Sequence, residues 1–198
     1  MTNRRCARIL KPHLMMGKFY FLAFVVLCIV TTKATGQQDL GMEVSFTLPE
    51  TALVRLQPNN STIQLALTPP SEAGARPQVG AEAVDRSKWI NYTSAITEDG
   101  PLRRISAELI ESNLPEGISL TLEATPDQGS GAGRMGIPSG RITLSESPRT
   151  IISQIGGAYT GAGTNRGHQL IYSLQVNDWS KIPSTGAFLA RVLFTITD

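Results

Sequence analysis

A lone histidine, a glycine-rich run and scattered carboxylates are what this chain offers to chemistry. His168 is the only histidine after residue 36. A nucleophilic triad needs a histidine oriented by an acid and facing a nucleophile, and no G-x-S-x-G elbow supplies that nucleophile. His168 opens a predicted strand, where packing or capping is the simpler role. One histidine without a cysteine beside it does not make a zinc site. Gly131-Ala132-Gly133-Arg134-Met135-Gly136 matches G-x-G-x-x-G behind a predicted strand. A dinucleotide site needs a helix directly after that run to hold the pyrophosphate. Pro138 and Gly140 follow instead, so the glycines between Asp127 and Gly133 are read as a hairpin loop.

Carboxylates do not form a recognisable set. Glu98-Asp99 sits at a turn, and Glu108 and Glu111 flank a strand. A glycosidase pair has to face across a cleft, which spacing along the chain cannot place. Asp127 lacks the repeated acids of a dedicated calcium loop. The expectation is therefore no catalytic residue, no bound cofactor and no metal. Two aromatics, Trp179 after the Asn177-Asp178 turn and Tyr159, are candidates for stacking on a sugar ring. Asn59, Asn60 and Asn91 each head a glycosylation sequon.

The elements that position these residues carry a period of two. Met42 to Leu48 alternates strictly, and so do Ile63-Leu65-Leu67, Ile105-Ala107-Leu109 and Ile118-Leu120-Leu122 with their polar neighbours. Trp89 to Ile96, Arg141 to Leu144, Gln169 to Val176 and Phe188 to Thr197 are further strand candidates. Alternation marks half-buried strands because successive side chains point to opposite faces. Turn signals separate the runs: Gln57-Pro58-Asn59-Asn60, Asp99-Gly100-Pro101, Leu114-Pro115-Glu116-Gly117 and Asn177-Asp178. Arg149 to Ile155 is the exception. Ile151, Ile152 and Ile155 fall at helical spacing before Gly156-Gly157, which predicts a short helix crossing between sheets. Pro69 to Ser87 reads as a long loop. Eight to ten strands without helical crossovers predict an all-β, antiparallel sandwich with Trp89 and Tyr172 as aromatic anchors.

Charge and compartment follow from the N-terminus. The chain has 198 residues, with 18 Lys and Arg against 16 Asp and Glu. Six of the bases and no acid lie in residues 1–36, so residues 37–198 carry 12 bases and 16 acids. That net charge of −4 excludes nucleic-acid binding through bulk positive charge. Both cysteines, Cys6 and Cys28, also fall in the prefix. Phe19 to Val30 would span about 18 Å as a helix, short of the roughly 30 Å of a bilayer core. A basic stretch precedes it and small residues follow, the pattern of a cleavable signal peptide over 1–36 with cleavage between Gly36 and Gln37. Alternatives are an uncleaved anchor, a start at Met15 or Met16, and a lipidated Cys28, which Leu27 before it disfavours. The rest, 37–198 with 69–87 as a long loop, is one domain of sufficient length for a single core. It is expected outside the cytoplasm, secreted, extracellular or periplasmic, at a cell surface, with the membrane met only through the leader.

The runs Trp89-Ile90-Asn91-Tyr92-Thr93-Ser94, Asn113-Leu114-Pro115-Glu116-Gly117-Ile118-Ser119-Leu120, Ile155 to Gly163, Gly167 to Leu174 and Phe194 to Asp198 resemble secreted fimbrial-subunit-like or adhesin-like β-sandwich proteins of the Bacteroidetes type. Where many of those relatives have Cys-Tyr-Thr-Gly, this chain has Ala158-Tyr159-Thr160-Gly161, so no disulfide is implied there. The resemblance implies bacterial export, an immunoglobulin-like sandwich and a structural or adhesive role at the surface. It transfers no active-site residue. Terminal alternating strands are also what assembling subunits exchange, although the preferred reading keeps both strands in the chain's own sandwich, since open edges are normally avoided within a domain. The expected partners are identical or related subunits met through those strands, or surface glycans in the alternative reading as a lectin-like module; a cryptic hydrolase is the least favoured reading.

Overall fold

Branched and aromatic side chains at every second position build the molecule, a computed structural model that describes residues 45–198 except 77, 98 and 183–185. The signal peptide and its Gly36–Gln37 cleavage point lie outside the described residues. Eleven strands form: β1 (Thr51–Gln57), β2 (Val84–Ala95), β3 (Arg103–Ser112), β4 (Ile118–Ala124), β5 (Ala132–Gly133), β6 (Ile137–Pro138), β7 (Ile142–Thr143), β8 (Arg149–Ile155), β9 (Ala158–Tyr159), β10 (His168–Val176) and β11 (Ala190–Thr197). Single 3-10 turns at Ala81–Ala83 and Trp179–Lys181 are the only helical segments among the described residues.

All pairings are antiparallel. The larger sheet runs β5-β9-β2-β10-β4-β7, with β1 on the other side of β2. The smaller runs β11-β3-β8-β6. Their inner faces share one core. Ile90, Tyr92, Leu122, Leu170 and Tyr172 come from the larger sheet, and Ile105, Ala107, Ile151, Ile152 and Ile155 from the smaller. This is the arrangement of a β-sandwich, as the period of two predicts. Thr47–Asp198 form one unit. Trp89 and Tyr172 are both buried.

Besides the Ile63-Leu65-Leu67 run, which forms no strand, three expectations need correction. The predicted helix over Arg149–Ile155 is strand β8. Against β3, Arg103 faces Ile155, Ile105 faces Ile152 and Ser106 faces Thr150, so β8 carries an extra residue in each interval. Each bulge flips which face the next side chain takes. Ile151, Ile152 and Ile155 are thereby all fully buried, and their spacing imitates a helix. Gln154, at φ 58, supplies one of the kinks.

The long loop is the second correction. Thr68 and Gln78 bridge across it, and β2 begins at Val84, inside the expected 69–87 span. The third is the first strand. Only the end of the Met42–Leu48 run is described, and Ser45–Leu48 form no strand there. Thr51–Gln57 pairs with β2 instead, from Thr51 opposite Ala95 to Gln57 opposite Trp89. Its alternation is spoiled because Leu53 points outward and is exposed.

Candidate interaction surface

His168 occupies the first position of β10, opposite Ile90, and its parity with Leu170 and Tyr172 turns it into the core. It is 0% exposed. Its Nδ1 lies 2.7 Å from the Thr125 carbonyl, which can only accept, so Nδ1 carries the proton. Nε2 then accepts from the Tyr92 hydroxyl at 3.1 Å. That hydroxyl in turn accepts from the Gly136 N–H at 3.0 Å. The two rings stack, centroids 5.7 Å apart. Burial lowers the His168 pKa, against smaller raising effects of the Thr125 bond and the Asp127 charge. Burial likewise raises the Tyr92 pKa. A neutral imidazole and an un-ionised phenol, closed off from solvent, form a polar peg that pins β10, β2 and the 135–136 turn. Among the described residues no serine hydroxyl is hydrogen-bonded to His168. Asp127, desolvated and with a raised pKa, buries one unpaired carboxylate oxygen nearby.

The glycine run is also structural. β5 pairs with β9, Ala132 opposite Tyr159 and Gly133 opposite Ala158. A Cβ on Gly133 would meet the Gly157 carbonyl oxygen at 2.1 Å, and one on Gly136 would meet Ile152 Cγ2 at 2.3 Å. Small residues let the backbones touch. The strand β6 follows where a phosphate-binding helix would have to start.

The sequons are not equivalent. Asn59 Oδ1 accepts from Ser61 N–H and Oγ and from the Lys88 ammonium. Asn91 is buried on the outer face of β2, where its amide donates to the Arg166 carbonyl and accepts from Gly163 N–H. The loop Gly161–Gly167 lies over it. Asn60 is exposed.

Tyr159 and Trp179 stand at opposite ends of the larger sheet. Tyr159 sits opposite Thr93 near one end of β2, while Ser173 sits opposite Val84 at the other, and Trp179 lies six residues beyond Ser173. Nine residues of β2 separate those registers, roughly 30 Å of strand. Tyr159 is 52% exposed; Trp179 is half-buried. Two shallow cavities of about 460 and 520 Å³ open on the surface, and neither includes His168, Tyr159 or Trp179 among its lining residues. Among the described residues no three His, Cys, Asp or Glu side chains gather as a metal site.

The terminal strands meet at an open side of the sandwich. β11 pairs with β3 and, among the described residues, has no partner on its other side. β1 is likewise an edge, and the two lie next to each other without pairing. On the inner face of β11, Ala190, Val192, Phe194 and Ile196 are only half-buried, although they pack on the core. Beyond the cis Gln57–Pro58 bond, Ile63 and Leu65 pack on the core. Among the described residues, Thr62 to Leu65 find no backbone–backbone hydrogen-bond partner. Such unpaired, core-facing backbone is a surface that invites a further strand.

Two buried cations hold this side together. Arg103 is 4% exposed. Its guanidinium binds Asp198 at 2.9 Å, Glu50, and the carbonyls of Thr51 and Ala95. One side chain thus ties the start of β1, the end of β2 and the end of β11. Lys88 donates to Asn59 O, Asn59 Oδ1 and Ser61 Oγ. Neither residue was singled out by sequence reasoning. Parity held the signal: Arg103 is in phase with Ile105 and Ala107, and Lys88 with Ile90 and Tyr92.

Comparison with protein-family models, curated proteins and solved structures finds no match to this chain.

Proposed function

We propose that this is a secreted, non-enzymatic cell-surface protein with a structural or adhesive role: an immunoglobulin-like sandwich that associates with identical or related subunits as a fimbrial-like subunit. The reading rests on the edge of β11 and the segment Thr62–Leu65, neither of which has a backbone partner on its open side among the described residues. A strand added there gains main-chain hydrogen bonds, and its alternate side chains cover the half-buried Val192, Phe194 and Ile196. Leu48, in the alternating segment before β1, is exposed and free to serve as part of such a strand. The peg around His168 supports a role without turnover, since its titratable groups are buried, neutral and committed to backbone partners.

The test is association of residues 37–198 against a variant lacking 37–48, which keeps Glu50 on Arg103. Light scattering and cross-linking across a concentration series should give oligomers for the first and monomers for the second. Well-folded monomers in both cases would overturn assembly through that segment.

A further inference from the structure

A second face, on the outside of the larger sheet and independent of the open edge, has the chemistry of a ligand platform. Leu53 on β1, Thr93 on β2, Tyr159 on β9 and Ala132 on β5 stand opposite one another in register. They form one row across four strands, about 14 Å long at the usual strand spacing. Every member is exposed, Leu53 by 63%. The row is held by backbone pairing on both sides of β2 and β9 and carries one aromatic ring near its middle. The loop Gly161–Gly167, fastened to Asn91, rises beside it.

The surroundings are basic. Arg55 lies one outward position along β1 from Leu53. Arg166 extends over Gly161 and Gly129 to donate to Ser130, two residues from Ala132. Among the described residues neither arginine has a carboxylate partner. Two guanidinium groups without carboxylates thus flank an exposed aromatic ring on one face of a domain whose net charge is −4.

We propose that this row is a binding site for an acidic carbohydrate, a pyranose chain bearing carboxylate or sulfate groups. The C–H face of one ring stacks on Tyr159, Leu53 and Ala132 extend the apolar contact, and the arginines receive the anionic groups through charge-assisted hydrogen bonds. Tyrosine suits this because its ring orders at little entropic cost and presents a polar tip. Bulk charge opposes a polyanion here, so binding has to come from the local arrangement.

Native gel electrophoresis of residues 37–198 in gels containing alginate or polygalacturonate, with laminarin as the neutral control, tests the site. Retardation is expected in the acidic gels alone. Tyr159→Ala should weaken it at least tenfold, Tyr159→Phe should restore it to within twofold, and Arg55→Gln should weaken it several-fold and reduce its salt dependence. Trp179→Ala should leave it unchanged. Thermal unfolding of each variant confirms that the sheet is intact. Migration unaffected by any acidic glycan, equal retardation in laminarin, retention that survives Tyr159→Ala, or stronger binding of polyadenylate or polyglutamate would each overturn the proposal.

Discussion

β10 and β11 are neighbours in the chain and nearly indistinguishable as text: both alternate apolar and polar residues over eight or nine positions. In the fold they differ. β10 is bonded on both sides, by β2 and β4, and His168, Leu170 and Tyr172 are buried. β11 is bonded on one side, and every member of its inner face stays half-exposed. Alternation therefore reports that a strand has an inside and an outside. It does not report how many neighbours the strand has, because that depends on backbone hydrogen bonds to residues far away in sequence.

Core truncation should separate the two most sharply. Leu170→Ala removes a fully buried side chain and is expected to cost about 3–4 kcal/mol in urea unfolding, while Phe194→Ala on β11 should cost about 1–2 kcal/mol because much of its surface already meets water. Equal losses would mean that β11 is as enclosed as β10. Next in size is the polar peg at the start of β10. Tyr92→Phe strands the Gly136 N–H and His168 Nε2 without partners, an expected loss of about 2 kcal/mol.

The same peg gives β10 a pH dependence. Burial lowers the His168 pKa, so the folded state binds fewer protons than the unfolded one. Stability should be intact above about pH 6.5, fall as pH drops below it, and level off once the pH passes His168's lowered folded value. Denaturation midpoints of the parent and His168→Gln between pH 7.5 and 5 check this; the variant should lose the slope across that window. The smallest effect belongs to the edge. Leu193→Lys, on the outward face of β11, should change unfolding by no more than about 0.5 kcal/mol yet weaken self-association, since a lysine on an edge strand opposes further pairing.

Much of the architecture was legible. The runs at Trp89, Ile105, Ile118, Gln169 and Phe188 all became strands, and Pro and Gly marked the turns between them. The misreadings have physical causes. Two bulges in β8 turned a strand's spacing into a helix's, and Thr150-Ile151-Ile152, three β-branched residues in a row, was the overlooked signal for a strand. β1 was missed because an edge strand can leave Leu53 outside. Of the candidate ligand residues, Trp179 and Tyr159 could be named from type alone, but their separation follows from the register of β9 and β10 on β2. The row from Leu53 to Tyr159 spans 106 positions, and Arg103 reaches Thr51 and Asp198, 52 and 95 positions away, which no local pattern encodes.

Residue order by itself determined that this chain forms strands, that the strands have one apolar face, and that charge is spread over the other, because side-chain alternation is a local consequence of extended backbone. Tertiary structure alone decided which strands are interior, which edges stay open, what the buried cations bind and which exposed side chains stand in line. Those outcomes depend on pairing partners and register, and the free energy of a pairing belongs to two distant segments at once.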